Sequence, residues 1–224
     1  MGTLVRLLSF RLDREGYQRC ARREIALGVA CAWLAGIGRY WDHPSAGLAQ
    51  KFGLGSVLYV FALAALLWAT LRPFPLQRPS YANVLAAVAL TSPLAWLYAL
   101  PVERWYDVDT AITLNIRFLQ VVAAWRVLSY LRYLRVGCAF SWPVSVVLTL
   151  LPLCVIVTLL AILNLEHAVF DLMAGIDRSN TRLAVIEAAY RELLDLVHFA
   201  LLAVIPLFVA YVVAIVRARR AAKG

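Results

Sequence analysis

VDTAITLNIRFLQVVAAWRVLSYL, residues 108–131, decides how often this chain crosses a membrane. Arg117, Gln120 and Arg126 interrupt the stretch, and its longest run free of charge is eight residues. A spanning helix needs about 20 mainly apolar residues, so the segment either crosses or lies flat in the interface. The flanking charges choose between the two. If it crosses, with the N-terminus inside, 14 Lys and Arg fall on the inner side and six on the outer side. If it lies flat on the outer side, everything after it inverts and the two sides hold 11 each. Cytoplasmic loops carry the excess of Lys and Arg, so the stretch is expected to span. Ten of the 13 acids then fall outside. The aromatics agree, because Trp and Tyr prefer the headgroup level. Trp96, Tyr98, Trp105 and Tyr106 fall near outer ends, and Trp68, Tyr130, Tyr133 and Trp142 near inner ends.

Five further runs are long and apolar: 25–41, 52–71, 79–102, 136–165 and 196–216. The first is short, and Arg39 near its end is a side chain that can snorkel. The run 136–165 is longer than one bilayer needs, so it is expected to tilt, to kink at Pro152 or to continue outside. The pattern predicts an all-α polytopic membrane protein, a bundle of six transmembrane helices forming a single domain over 1–224. Residues 1–23 form a basic cytoplasmic segment, within which 3–12 suit a short interfacial helix. Residues 217–224 form a basic cytoplasmic tail. The first span is expected to stay as a permanent anchor, since its basic flank is too long for a cleavable signal. Residues 166–195 form an outer helical segment between the fifth and sixth spans. There Leu183, Ile186, Ala189, Tyr190, Leu193 and Leu194 recur at three- and four-residue spacing, after a turn and N-cap expected at 177–181. This helix either runs straight into the sixth span or lies along the outer surface. Charge placement puts the chain in a bacterial inner membrane with both termini cytoplasmic.

Composition points the same way. Of 224 residues, 63% are apolar and 16% charged, with mean hydropathy +0.76. Soluble domains run at about 45–50% apolar and about 25% charged, and large exposed apolar patches aggregate. A soluble enzyme, a disordered chain, a disulfide scaffold and a DNA-binding module are therefore excluded. The net charge of +9 belongs to membrane flanks rather than to nucleic-acid binding. The four cysteines form no C-x-x-C pair, and neither a disulfide nor a metal cluster is expected from them. The sequence holds no Walker A loop and no G-x-S-x-G elbow, and no cofactor is expected.

Three constellations remain. Thr110, Thr113, Arg117 and Gln120 are spaced 3, 4 and 3 residues apart and share one helical face. An arginine in hydrocarbon costs about 3 kcal/mol by insertion scales and needs a partner. Asp195 and Glu166 are candidates, as are carbonyls freed by Pro93, Pro152 or Pro206. Arg117, Gln120 and Thr113 then form either a substrate-binding site for an anion or a clamp between helices. Arg126 points nearly opposite and is expected to snorkel inward. Second, His43, His167 and His198 all fall on the predicted outer side beside acids. His167 with Asp171, and Asp195 with His198, have spacings that put two metal ligands on one helix face. H-E-x-x-H is absent, and a solvated acidic rim is the competing reading. Third, Gly28, Ala32 and Gly36 make two small-x-x-x-small steps for helix packing, against an internal neighbour, a second copy or another protein.

The leading expectation is a non-enzymatic multi-pass inner-membrane subunit or scaffold, packing with partner membrane proteins or with itself in the lipid bilayer. The alternative is a small carrier or channel binding an anionic substrate or lipid headgroup through Arg117. The second alternative is an outer-facing metal-dependent hydrolase built on the histidines.

Overall fold

The computed structural model describes residues 3–20, 22–40, 47–75, 77, 79–174 and 183–222. Among the described residues every regular element is helical. In chain order these are α1 (Thr3–Leu8), α2 (Arg14–Gln18), α3 (Arg22–Tyr40), α4 (Leu48–Lys51), α5 (Leu54–Leu71), α6 (Tyr81–Ala89), α7 (Val108–Arg132), α8 (Trp142–Ile162), α9 (Glu166–Ala174) and α10 (Leu183–Ala221). Two 3-10 stretches, Ser92–Ala99 and Val102–Arg104, follow α6, and a π turn, Tyr133–Gly137, closes α7.

Five stretches are long and apolar enough to cross a membrane: Leu54–Leu71, Tyr81–Arg104, Val108–Gly137, Trp142–Ile162 and Ala184–Ala221. The arginine-bearing stretch of α7 is among them, whereas α3 is not. Arg22, Arg23 and Glu24 open α3 and Arg39 nearly closes it. That leaves an uncharged stretch, 25–38, of only about 21 Å at 1.5 Å per residue, against about 30 Å of hydrocarbon. Yet α3 runs from one end of the bundle to the other. Just before it, Tyr17 sets its ring 5.3 Å from that of Tyr133, where Arg132 donates to the Leu12 carbonyl at 3.3 Å. In its last turn Arg39 donates to the carbonyls of Leu172 and Met173 in α9. The tail end of α10, with Tyr211 and Ala218, joins the core cluster that holds Leu7, Leu12 and Tyr17. Tyr211 lies 6.0 Å from the Phe74 ring and Phe74 5.2 Å from that of Phe140, whose N–H bonds to the Leu134 carbonyl beside Tyr133, so the two ends of the described chain lie at the same end of the bundle. The expected interfacial helix is α1, docked on the bundle through buried Leu7 and followed by buried Leu12.

Two expected spans are reshaped by backbone chemistry. The run 79–102 is helical only to Ala89 and continues as 3-10 turns. Pro93 has no N–H, and its ring clashes with the carbonyl four residues back, which belongs to Ala89. The run 136–165 starts its helix at Trp142 rather than at 136. Ala139 takes a left-handed φ of 59°, and Pro143 sits in the first turn of α8, where a missing N–H costs nothing. Pro152 and Pro206 lie inside α8 and α10, and both helices continue through them. From Leu183 onward, the second part of the segment 166–195 and the last expected span are one helix of 39 residues, while its first part is the separate helix α9. The turn expected at 177–181 lies outside the described residues.

The small-residue face of α3 is filled from within the chain. A Cβ on Gly28 would lie 2.5 Å from the Ala89 carbonyl carbon, and one on Gly36 would lie 2.5 Å from Ser56 Oγ and 2.9 Å from Gly53 Cα. Ala32 between them is buried. The contact brings indoles within reach of backbone: Trp96 Nε1 donates to the Cys31 carbonyl at 3.0 Å and Trp33 Nε1 to that of Phe52 at 2.8 Å. Gly28→Leu is expected to lower the melting temperature in detergent, because overpacking a tight contact costs about 1–3 kcal/mol. Gly55→Ala is the control, since nothing lies within 4 Å of its would-be Cβ. Equal melting of the two variants would mean that this crossing does not hold α3 in place.

Candidate functional site

The arginine stripe begins at a helix cap. Asp107 is the N-cap of α7, accepting from the Thr110 backbone N–H at 3.1 Å and from its hydroxyl at 2.7 Å. Thr113 spends its hydroxyl on the Asp109 carbonyl, 2.9 Å away. Both threonines thus serve the first turns of their own helix, and Thr113 does not join Arg117. Arg117 and Gln120 do come together. The guanidinium donates to Gln120 Oε1 at 2.7 Å, and Gln120 Nε2 donates to Glu192 Oε2 at 2.5 Å. A second guanidinium nitrogen lies 3.8 Å from Glu192 Oε1. The three side chains form a closed, electrically neutral link from α7 to α10.

The partner is Glu192, not Asp195 or Glu166, for a geometric reason. Ala189 is packed against Ile112 and Ile116, with Leu119, Phe170 and Val185 around them. Glu192, three residues on, shares that face of α10. Asp195 is rotated away and exposed, and Glu166 pairs with His167 at 3.1 Å. The small apolar cluster sets the rotation of α10, and the rotation selects the acid. The sequence carries no signal for this choice among the acids of the outer segment.

The histidine constellation separates. His167 sets its ring edge-on to Tyr190, centroids 4.8 Å apart, and Tyr190 donates its hydroxyl to Asp171 Oδ1 at 2.6 Å. His167 and Asp171 share α9, but Asp171 is engaged by Tyr190. His198 and Asp195 are exposed on α10. His198 lies about 12 Å along the helix from Tyr190. His43 lies outside the described residues. Among the described residues no group of three or more His, Cys, Asp or Glu is placed to hold a metal ion. Tyr190 is the residue here that the pattern of acids and histidines did not single out.

No protein-family model, curated protein or solved structure matches the chain.

What the Arg117–Gln120–Glu192 cluster can do chemically is hold helices. An anion approaching Arg117 would compete with the charge of Glu192. The pair is about half exposed, with side-chain accessibilities of 60% and 46%, and in water such a pair is worth at most about 1 kcal/mol. Against lipid an unpartnered charge costs more. Glu192→Leu is therefore expected to destabilise by about 1–3 kcal/mol, and Arg117→Leu made on top of it to restore part of the loss. A double-mutant cycle by denaturant unfolding in micelles measures the coupling. Strictly additive losses would mean the link is not a clamp.

Proposed function

We propose that this chain is a non-enzymatic multi-pass inner-membrane subunit or scaffold that packs with partner membrane proteins or with a second copy of itself. The observation that carries the reading is the outward flank of α10. At 39 residues this helix is about 58 Å long, well beyond the hydrocarbon thickness. One of its faces lies against the bundle. The opposite flank presents Leu202, Ile205, Val209 and Val212, between 43 and 80% exposed. Their 3-4-3 spacing is the seam by which helices pack in parallel bundles. The small-residue face of α3 is already occupied by α5 and α6, so the working surface moves to α10. The Arg117–Gln120–Glu192 link supports the same reading, because it ties α10 to α7 and holds the flank in a fixed orientation.

Six crossings, with both termini cytoplasmic, suit this role. In support, α3 reaches both ends of the bundle and the two chain ends share one end of it. The close approach at Gly28 and Gly36 compensates for its short apolar stretch by packing it among other helices.

Two experiments test the proposal. Reporter fusions at the N- and C-termini should both read cytoplasmic, and opposite readings would leave five crossings. Native mass spectrometry of the protein, released from its membrane in mild detergent, should give a complex or homo-oligomer that Ile205→Asp with Val209→Asp dissociates. A monomer in every mild detergent would overturn the subunit reading.

A further inference from the structure

Arg126 stands nine residues after Arg117 on α7, half a turn round the helix, and it meets different neighbours. Its guanidinium lies over the Tyr59 ring of α5, 5.6 Å from the centroid. Its Nε is buried without a hydrogen-bond partner. Among the described residues it makes no ion pair. It points toward Tyr59, which lies near the opposite end of α5 from Arg72. It opens onto a narrow cleft of about 40 Å³ between α5, α6 and α7. Leu63, Leu67 and Val88 wall this cleft, and no carboxylate lines it. Tyr130 lines it too.

A lone cation in apolar walls is an incomplete arrangement. An intramembrane arginine normally pairs with an acid or with carbonyls, and a ring face supplies only part of what a carboxylate would. The missing piece is a negative charge attached to something apolar. We propose that the cleft binds an amphiphile with a singly charged anionic head, placing the head on Arg126 and its hydrocarbon chain along Leu63, Leu67 and Val88. Fatty-acid carboxylates and phospholipid phosphodiesters share this chemistry. The site is independent of the packing surface on α10, and a chain with no protein partner would still carry it.

The test uses the full chain in neutral-lipid nanodiscs. Two photoactivatable probes are added separately, a fatty acid and an anionic phosphatidylglycerol, and cross-links are mapped by peptide mass spectrometry. Saturable labelling of α5–α7 peptides around the cleft by either probe is expected, and the probe that labels identifies the source of the head. Arg126→Leu should weaken binding at least tenfold and Arg126→Lys should retain most of it. Arg117→Leu, on the opposite face, should leave it unchanged. Arg126→Leu is also expected to melt no lower than the parent, since it removes an unpaired charge. Should that variant fail to fold, Leu63→Trp fills the cleft without touching the charge, and it should block labelling. Labelling that is equal with a zwitterionic probe, or unaffected by Arg126→Leu or Leu63→Trp, would overturn the proposal, as would no saturable labelling by either anionic probe.

Discussion

Two arginines on one apolar helix, nine residues and half a turn apart, organise the neighbours of α7. Neither guanidinium can face hydrocarbon alone without a penalty, so each side of α7 must supply something polar. On one side α10 brings Glu192, held at the right rotation by Ala189 against Ile112 and Ile116. On the other side α5 brings Tyr59 and no acid. The same side-chain type thus ends in two states, one neutralised within the chain and one left over a ring beside a cleft. The first is a bond between helices. The second is a vacancy in charge, and it is the reason for locating ligand chemistry at Arg126 rather than at Arg117.

The second organising contact is steric. Gly28 lets α3 approach the backbone of Ala89, and Gly36 lets it approach Gly53. In lipid, where burial of apolar surface gives little driving force between helices, close approach and interhelical hydrogen bonds do the holding. Here the indoles of Trp33 and Trp96 add bonds to backbone carbonyls across the same contacts. Arg39 completes the attachment at the far end. Its cation meets the C-terminal carbonyls of α9, where the helix dipole is negative, and lies over the Tyr98 ring. A helix whose own composition falls short of a spanning segment is thereby carried through the bundle by its neighbours.

Where the structure departs from the pattern of the sequence, local backbone chemistry or helix rotation is the reason. The helix break after Ala89 was legible in Pro93, but an apolar run that long reads as continuous when only hydropathy is followed. The late start of α8 depends on Ala139 adopting a left-handed φ, which its side chain gives no reason to expect. The stripe of Thr110, Thr113, Arg117 and Gln120 is a true helical face, and half of it bonds back to the start of its own helix, Thr110 to the cap and Thr113 to the Asp109 carbonyl. Only Arg117 and Gln120 reach across to another element.

From the sequence alone came the helical class, most of the apolar stretches and the fact that α7 carries charge along a length able to span. These follow from composition and spacing, which act within a few turns and need no partner. The tertiary structure decided which acid meets Arg117, that the glycines of α3 are spent inside the chain, and that Arg126 faces a cleft without an anion. Each of these depends on how one helix is rotated and placed against another. That rotation is set by packing among residues far apart in the chain, such as Ala189 against Ile116 or Gly28 against Ala89, and no local pattern encodes it.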